Sequence, residues 1–140
     1  AGVEFDYILL LQPTSPFRTI EDVDKCIAIY EKEQPDMAVT VKEASANPYY
    51  NCFETDPQTG TLHISKGDGL LTRRQDAPRA WEFNGAVYAI NPESLAMMPM
   101  GDFPRRIPSE MPPERSLDLD TPLDWVIAEA IISLKRQSCG

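Results

Sequence analysis

The sequence has 140 residues, 42% hydrophobic and 25% charged, proportions that allow one compact core but not two. Its formal net charge of −9 argues against a nucleic-acid or anionic-membrane partner, because both require basic surface that displaces counterions. No run of about 18 apolar residues exists to span a bilayer, and Ala1-Gly2-Val3-Glu4-Phe5-Asp6 lacks the basic start of a signal peptide, so a cytoplasmic location is expected.

In chain order, residues 7–11 (Tyr-Ile-Leu-Leu-Leu) form a continuous apolar run of strand length, which predicts a central parallel strand covered on both faces. Thr19-Ile20-Glu21-Asp22 has the form of a capping box, and Val23, Cys26, Ile27 and Tyr30 follow at helical spacing. This helix is predicted to stop near Gln34-Pro35-Asp36, before a second strand at residues 37–41. Strand, helix and strand in that order predict a parallel crossover and an α/β class. Residues 49–53 and 61–64 read as short strands around the turn formers Asp56-Pro57-Gln58-Thr59-Gly60, a β-hairpin excursion.

Residues 86–90 return to the buried-strand pattern, and Asn91-Pro92-Glu93-Ser94 reads as the cap of a short helix with proline at its first position. Five prolines between Met98 and Glu114 predict an extended surface loop, since each ring fixes φ and removes a backbone donor. Residues 115–120 alternate as a strand, Thr121-Pro122 caps a last helix, and Leu123, Val126, Ile127, Ala130, Ile131 and Leu134 share one helical face that is predicted to pack. Residues 137–140 read as a tail. Three or four parallel strands with two long helices leave sheet faces uncovered, so further chain before Ala1 is expected.

Three constellations carry chemistry. Gln12-Pro13-Thr14-Ser15-Pro16-Phe17-Arg18 stands at the carboxyl end of the first strand, the edge where open α/β sheets bind ligands. Gln12, Thr14, Ser15 and Arg18 would offer an amide, two hydroxyls and a guanidinium there, or else form a polar turn made rigid by its prolines. Arg74-Gln75-Asp76-Ala77-Pro78-Arg79-Ala80-Trp81 leads into Asn84-Gly85-Ala86-Val87-Tyr88, with Arg73, Arg74 and Arg79 as the one basic cluster. Asn84-Gly85 read alone is a tight turn, and the arginines are solvated charges. In Ser116-Leu117-Asp118-Leu119-Asp120-Thr121-Pro122-Leu123-Asp124, an extended backbone would put Asp118 and Asp120 on one face, where two carboxylates can share a hard cation. The same two aspartates would also complement a helix dipole in solvent, and Asp124 belongs to the helix cap.

Outside these stretches little chemistry is expected. Cys26, Cys52 and Cys139 are too scattered for a disulfide framework or zinc site, and are expected as reduced thiols. The single histidine, His63, falls on a hairpin strand without a nucleophile pattern, and Gly67-Asp68-Gly69 is a turn rather than a nucleotide loop.

Leu-Leu-Gln-Pro-Thr-Ser-Pro-x-Arg at residues 10–18 resembles the signature of the acylneuraminate cytidylyltransferases, the CMP-sialic acid synthetase type. The stretch 74–88 resembles that family's Arg-Gln-x-x-Pro-x-x-Tyr-x-x-Asn-Gly-Ala-x-Tyr, with Trp81 in place of the usual tyrosine, and 116–124 resembles its closing Ser-x-Asp-x-Asp-Thr-Pro-x-Asp. The resemblance implies a Rossmann-like nucleotidyltransferase sheet in a three-layer α/β/α arrangement, here partial. It also implies Mg²⁺-dependent transfer of CMP from CTP to a nonulosonic acid, a nine-carbon acidic sugar. Asp118 and Asp120 would hold the Mg²⁺, Gln12 would line the sugar site, and Thr14, Ser15, Arg18, Arg74, Asn84 and Gly85 would serve on the substrate side. The family's glycine-rich, basic phosphate loop has no counterpart in residues 1–140, which predicts a C-terminal portion with little activity alone. The resemblance further implies a homodimer in which residues 46–82 form the dimerisation subdomain, and a non-catalytic association module is the alternative.

Overall fold

The structure, a computed structural model, describes residues 2–139. The chain divides into two compact units. Residues 1–42 together with 83–140 form the first, and Glu43–Glu82 form the second.

In the first unit a four-stranded sheet runs in the order β1 (Ile8–Leu10), β5 (Trp81–Ile90), β2 (Met37–Glu43), β6 (Arg106–Glu110). The numbers β3 and β4 belong to the hairpin Phe53–Thr55 and Leu62–Ile64 of the second unit. The sheet is mixed. β1 pairs antiparallel with β5, Ile8 opposite Ile90 and Leu10 opposite Tyr88, whereas β6 pairs parallel with β2 from Met37 opposite Arg106 to Val41 opposite Glu110.

The central position belongs to β2 and not to residues 7–11. Met37 through Val41 are buried without interruption because β2 has a strand on either side. β1 is an edge strand of three residues whose Ile8, Leu9 and Leu10 remain 36–39% exposed. The proline-rich stretch is also more ordered than its composition predicts. β6 includes Pro108, which an outermost strand tolerates because its missing N–H removes no ladder bond on the outer side.

The helices begin where their caps predict. α1 (Ile20–Glu33) starts at Thr19 with a complete capping box closed by Asp22, and ends at Gln34, whose φ of 46° breaks the helix before Pro35. Its Cys26 and Tyr30 join Ala38, Ala86, Val87, Ala89 and Met111 in the core, with Tyr7 edge-on to Tyr30 at 5.7 Å. Burial pushes the Cys26 thiol up to about 11, so it is a packing residue and not a nucleophile. α2 (Pro92–Met97) is capped by Asn91, whose Oδ1 accepts from the Glu93 and Ser94 amides.

α3 (Pro122–Ser138) carries the second capping box, Thr121 with Asp124, and absorbs Gln137 and Ser138 from the expected tail. Gly140 lies outside the described residues. The packing expected of its apolar face is not found. Ala128 is its one buried residue, while Leu123, Val126, Ile127 and Leu134 are exposed, as is Trp125. Residues 115–120 do not form a strand either. A 3₁₀ turn at Pro113–Arg115 passes into irregular backbone that runs to the Thr121 cap.

The second unit is built on the β3–β4 hairpin, Phe53 opposite Ile64 and Thr55 opposite Leu62, closed by the Asp56 turn. Residues 48–51 are a turn organised by Asn47 and not the start of a strand. The Asn47 carbonyl accepts from the Tyr50, Asn51 and Cys52 amides, leaving them no ladder to join.

Between β2 and β5 the Thr40 hydroxyl accepts from the Val87 amide at 2.8 Å and donates to the Val87 carbonyl at 3.2 Å, all of it buried. Valine has the same shape but neither capacity. Thr40→Val is expected to lower unfolding free energy by about 2–4 kcal/mol, the cost of orphaning two buried backbone groups. Urea denaturation should register this as a lower midpoint at unchanged slope.

Candidate active site

Three segments of the first unit meet around Asn84-Gly85: the turn 12–18, the middle of β5, and the irregular segment 116–120. The turn is fastened by Arg18, whose Nη1 donates to the Gln12 carbonyl at 2.6 Å, the Ser15 carbonyl at 3.0 Å and the Ala86 carbonyl at 3.4 Å. Ser15 is 1% exposed and donates its hydroxyl to the Asn84 carbonyl at 3.2 Å. Thr14 supplies its carbonyl to the Leu119 amide at 2.9 Å, tying the turn to the third segment.

The Asn84 side chain is buried and internally satisfied. Its Oδ1 accepts from the Ala86 amide at 3.1 Å, and its Nδ2 donates to Ser116 Oγ at 3.0 Å and to Met111 Sδ at 3.3 Å. Asn84, Ser15 and Arg18 are therefore engaged in holding the site's backbone together.

Gly85 has φ +71°, a left-handed conformation in the middle of a strand, and a Cβ placed there would overlap Gln12 Oε1. Asp118 Oδ2 is 3.6 Å from the same point. The glycine thus lets the Gln12 amide and the Asp118 carboxylate approach one patch of bare backbone. Asp118 is half-buried, and its Oδ1 is shielded from solvent without a hydrogen-bond partner. A buried carboxylate oxygen left without a donor suits a cation ligand, because a cation would offset its desolvation. Asp120 is exposed, and its amide donates to Asp124 Oδ2 at 3.2 Å where the chain enters α3. Among the described residues no three His, Cys, Asp or Glu side chains gather as a metal cage. Magnesium requires none, since one or two protein carboxylates with water and phosphate oxygens complete its shell.

Two contributions were not assigned from sequence. Burial, and then the neighbouring Asp118 carboxylate, push the Tyr88 phenol above its ordinary value, which puts this ring beside the site. The other is the bidentate pair of Arg115 with Asp22, at 2.9 and 2.8 Å, for which the sequence holds no local signal.

Arg74 belongs to the second unit, where its guanidinium donates to the Ser45 carbonyl at 2.9 Å and to the Ala44 carbonyl. It lines a cavity of about 330 Å³ with Glu43, Asn47, Gln75, Ala77 and Arg79. Arg79 stacks on Trp81 at 4.3 Å, so the tryptophan presents a ring face to a cation.

Gly85→Ala joins an unfavourable backbone conformation to a clash with Gln12. The expected result is a loss of about 1–2 kcal/mol from the left-handed conformation alone, read by thermal unfolding. A crystal structure of the variant should show the Gln12 side chain displaced from Gly85.

No protein-family model matches the chain. Curated proteins do. The flagellin modification protein B of Campylobacter coli is 28% identical over 133 residues, 95% of this chain and 55% of that protein. The CMP-N,N'-diacetyllegionaminic acid synthase of Legionella pneumophila is 30% identical over 142 residues, 97% of this chain and 58% of that enzyme. The N-acylneuraminate cytidylyltransferase of Streptococcus agalactiae serotype V is 29% identical over 118 residues, 84% of this chain and 28% of that enzyme. The chain thus spans a little over half the length of the first two relatives. These matches spread over nearly all of the chain, and parts of the three motifs that carry its resemblance to the acylneuraminate cytidylyltransferases meet around Gly85.

Proposed function

We propose that this chain is the sugar- and metal-binding part of an enzyme that transfers CMP from CTP to a nonulosonic acid and releases pyrophosphate. The observation that carries the reading is the convergence of Gln12 and Asp118 on Gly85, with one Asp118 oxygen buried and unpartnered. Relatives named for diacetyllegionaminic acid and for N-acylneuraminate support an acceptor of the nonulosonic class.

In this reading Gln12 orients the sugar, its amide offering both donor and acceptor to hydroxyl or N-acyl groups. Gly85 exposes backbone that a substituent can approach closely. Thr14, Ser15, Arg18 and Asn84 hold that surface rigid, so little ordering remains to be done when substrate arrives. Asp118 and Asp120 would hold Mg²⁺, which when bound neutralises charge on the α-phosphate and leaves it open to attack by the anomeric hydroxyl. Turnover in this reading also needs a phosphate-binding segment for CTP. A substrate-side role for Arg74 rests on the resemblance of residues 74–88 alone.

That unit is also the surface proposed for homodimer formation. Phe53 on β3 and Leu62 on β4 are 52% and 68% exposed, an apolar hairpin suited to a second copy. Phe53→Ser with Leu62→Ser should shift sedimentation from dimer to monomer at micromolar concentration, and a wild-type protein that sediments as a monomer would remove the dimer.

The catalytic reading is tested by pyrophosphate release in the complete enzyme, with CTP, Mg²⁺ and N-acetylneuraminate or a legionaminic acid. Asp118→Ala should reduce kcat/KM by more than about a hundredfold, the range that outer-shell changes at metal sites already reach. Gln12→Ala should raise KM for the sugar about tenfold, one hydrogen bond's worth, with KM for CTP little changed. Near-normal turnover by Asp118→Ala would remove it from the site.

A further inference from the structure

We infer that the Asp22–Arg115 ion pair is a positioning device for Asp118, holding segment 116–120 in the shape that receives a divalent cation. The inference rests on the reading of Asp118 as a cation ligand. Residues 116–120 belong to no helix and no sheet, so no ladder sets their course. Because Asp118 Oδ1 makes no hydrogen bond, that oxygen is placed by the backbone that carries it.

That backbone is fixed on one side by α3 and on the other by Arg115. The guanidinium meets Asp22 fork to fork, Nε to Oδ2 at 2.9 Å and Nη2 to Oδ1 at 2.8 Å, which sets its plane as well as its distance. Asp22 is itself immobile. It is 4% exposed, and its Oδ2 also accepts from the Thr19 amide at 2.9 Å and the Thr19 hydroxyl at 3.0 Å, within the cap of a 14-residue helix. Thr19 directly follows Arg18, the residue that fastens the Gln12 carbonyl. One carboxylate at the start of α1 therefore anchors both walls of the site, the turn that bears Gln12 and the segment that bears Asp118. Without Arg115, the hydrogen bonds of Ser116 Oγ and the Leu119 amide would be left to hold the segment.

The test compares wild type with Arg115→Ala, Arg115→Lys, Asp22→Asn and Asp118→Ala, using Mn²⁺ alone as probe. Native-state hydrogen exchange should quicken at the Leu119 amide by about tenfold more than at Val87 in Arg115→Ala and Asp22→Asn, the sign of a local opening. Equal acceleration at both amides would mean that the pair only adds global stability, and would overturn the inference. Mn²⁺ titration followed by electron paramagnetic resonance should find affinity lowered about tenfold or more by Arg115→Ala. Partial recovery is expected in Arg115→Lys, which keeps the charge and loses the fork. Asp22→Asn keeps an acceptor for the α1 cap, and it carries the comparison should Arg115→Ala not fold. Wild-type Mn²⁺ affinity in Arg115→Ala or Asp22→Asn, with binding abolished in Asp118→Ala, would overturn the clamp and leave the cation site standing. Wild-type affinity in Asp118→Ala would overturn the cation reading and the clamp with it.

Discussion

The site depends on one interruption in one strand. At Asn84-Gly85, β5 turns through a left-handed residue, and the Asn84 side chain supplies the hydrogen bonds that hold the distorted strand to its neighbours. An asparagine can do this because its amide donates and accepts together: Oδ1 serves its own strand while Nδ2 reaches Ser116 and Met111. The carbonyl of the same residue receives Ser15, so one buried position joins all three segments. A glycine must follow, for any side chain there would occupy the space of the Gln12 amide. Interior glycine ordinarily weakens a strand, and its presence here marks a close approach.

Around that interruption, order is unevenly distributed. β2 lies between two strands, and its five leading residues are buried along with Cys26 and Tyr30 of α1. β1 and α3, by contrast, leave leucines, isoleucines and a tryptophan open to solvent. Burying such a side chain is worth about 1.5–3 kcal/mol, so most of the first unit's stability resides in β2, β5 and α1. The segment 116–120 joins these two regimes. It is bonded to the well-packed part through Arg115, Ser116 and Leu119, and it leads into the sparsely packed helix.

What the sequence made legible follows from the range of the forces involved. Thr19 with Asp22, Thr121 with Asp124, and Asn91 with Pro92 are complete local devices: donor, acceptor and helix start lie within four residues. The Asp56 turn and its hairpin are local for the same reason. Residues 7–11 misled because an apolar run states that a strand will form and not which strands flank it. That place is decided by pairing with β5, some eighty positions away. Residues 115–120 alternate like a strand but find no partner, because Leu119 bonds to Thr14 and Ser116 to Asn84. Pro108 argued for a loop, yet β6 needs only its inner side for pairing. At the site, the family motifs brought Gln12, Gly85 and Asp118 into view, whereas Asp22–Arg115 joins residues 93 positions apart and leaves no trace in any local pattern.

The charge of the molecule sharpens the role of the unpartnered aspartate oxygen. In the proposed function CTP and a sugar acid are both anions, whereas the chain carries a net charge of −9. The cations nearest the first unit's site are engaged elsewhere: Arg18 with three backbone carbonyls, and Arg115 with Asp22. Neutral donors such as the Gln12 amide can orient an anion, but they cannot offset its repulsion from Asp118. In the proposed function a divalent cation held by Asp118 and Asp120 would cancel the charge of both carboxylates and keep coordination positions open to phosphate oxygens, so the acidic residues would recruit the anion instead of repelling it. An arginine in place of Asp118 would bind the anion directly, yet would lack the open coordination positions through which a metal ion aligns two reacting groups. In that reading the acidic composition and the anionic substrates are reconciled at Asp118, whose buried Oδ1 has no hydrogen-bond partner among the described residues.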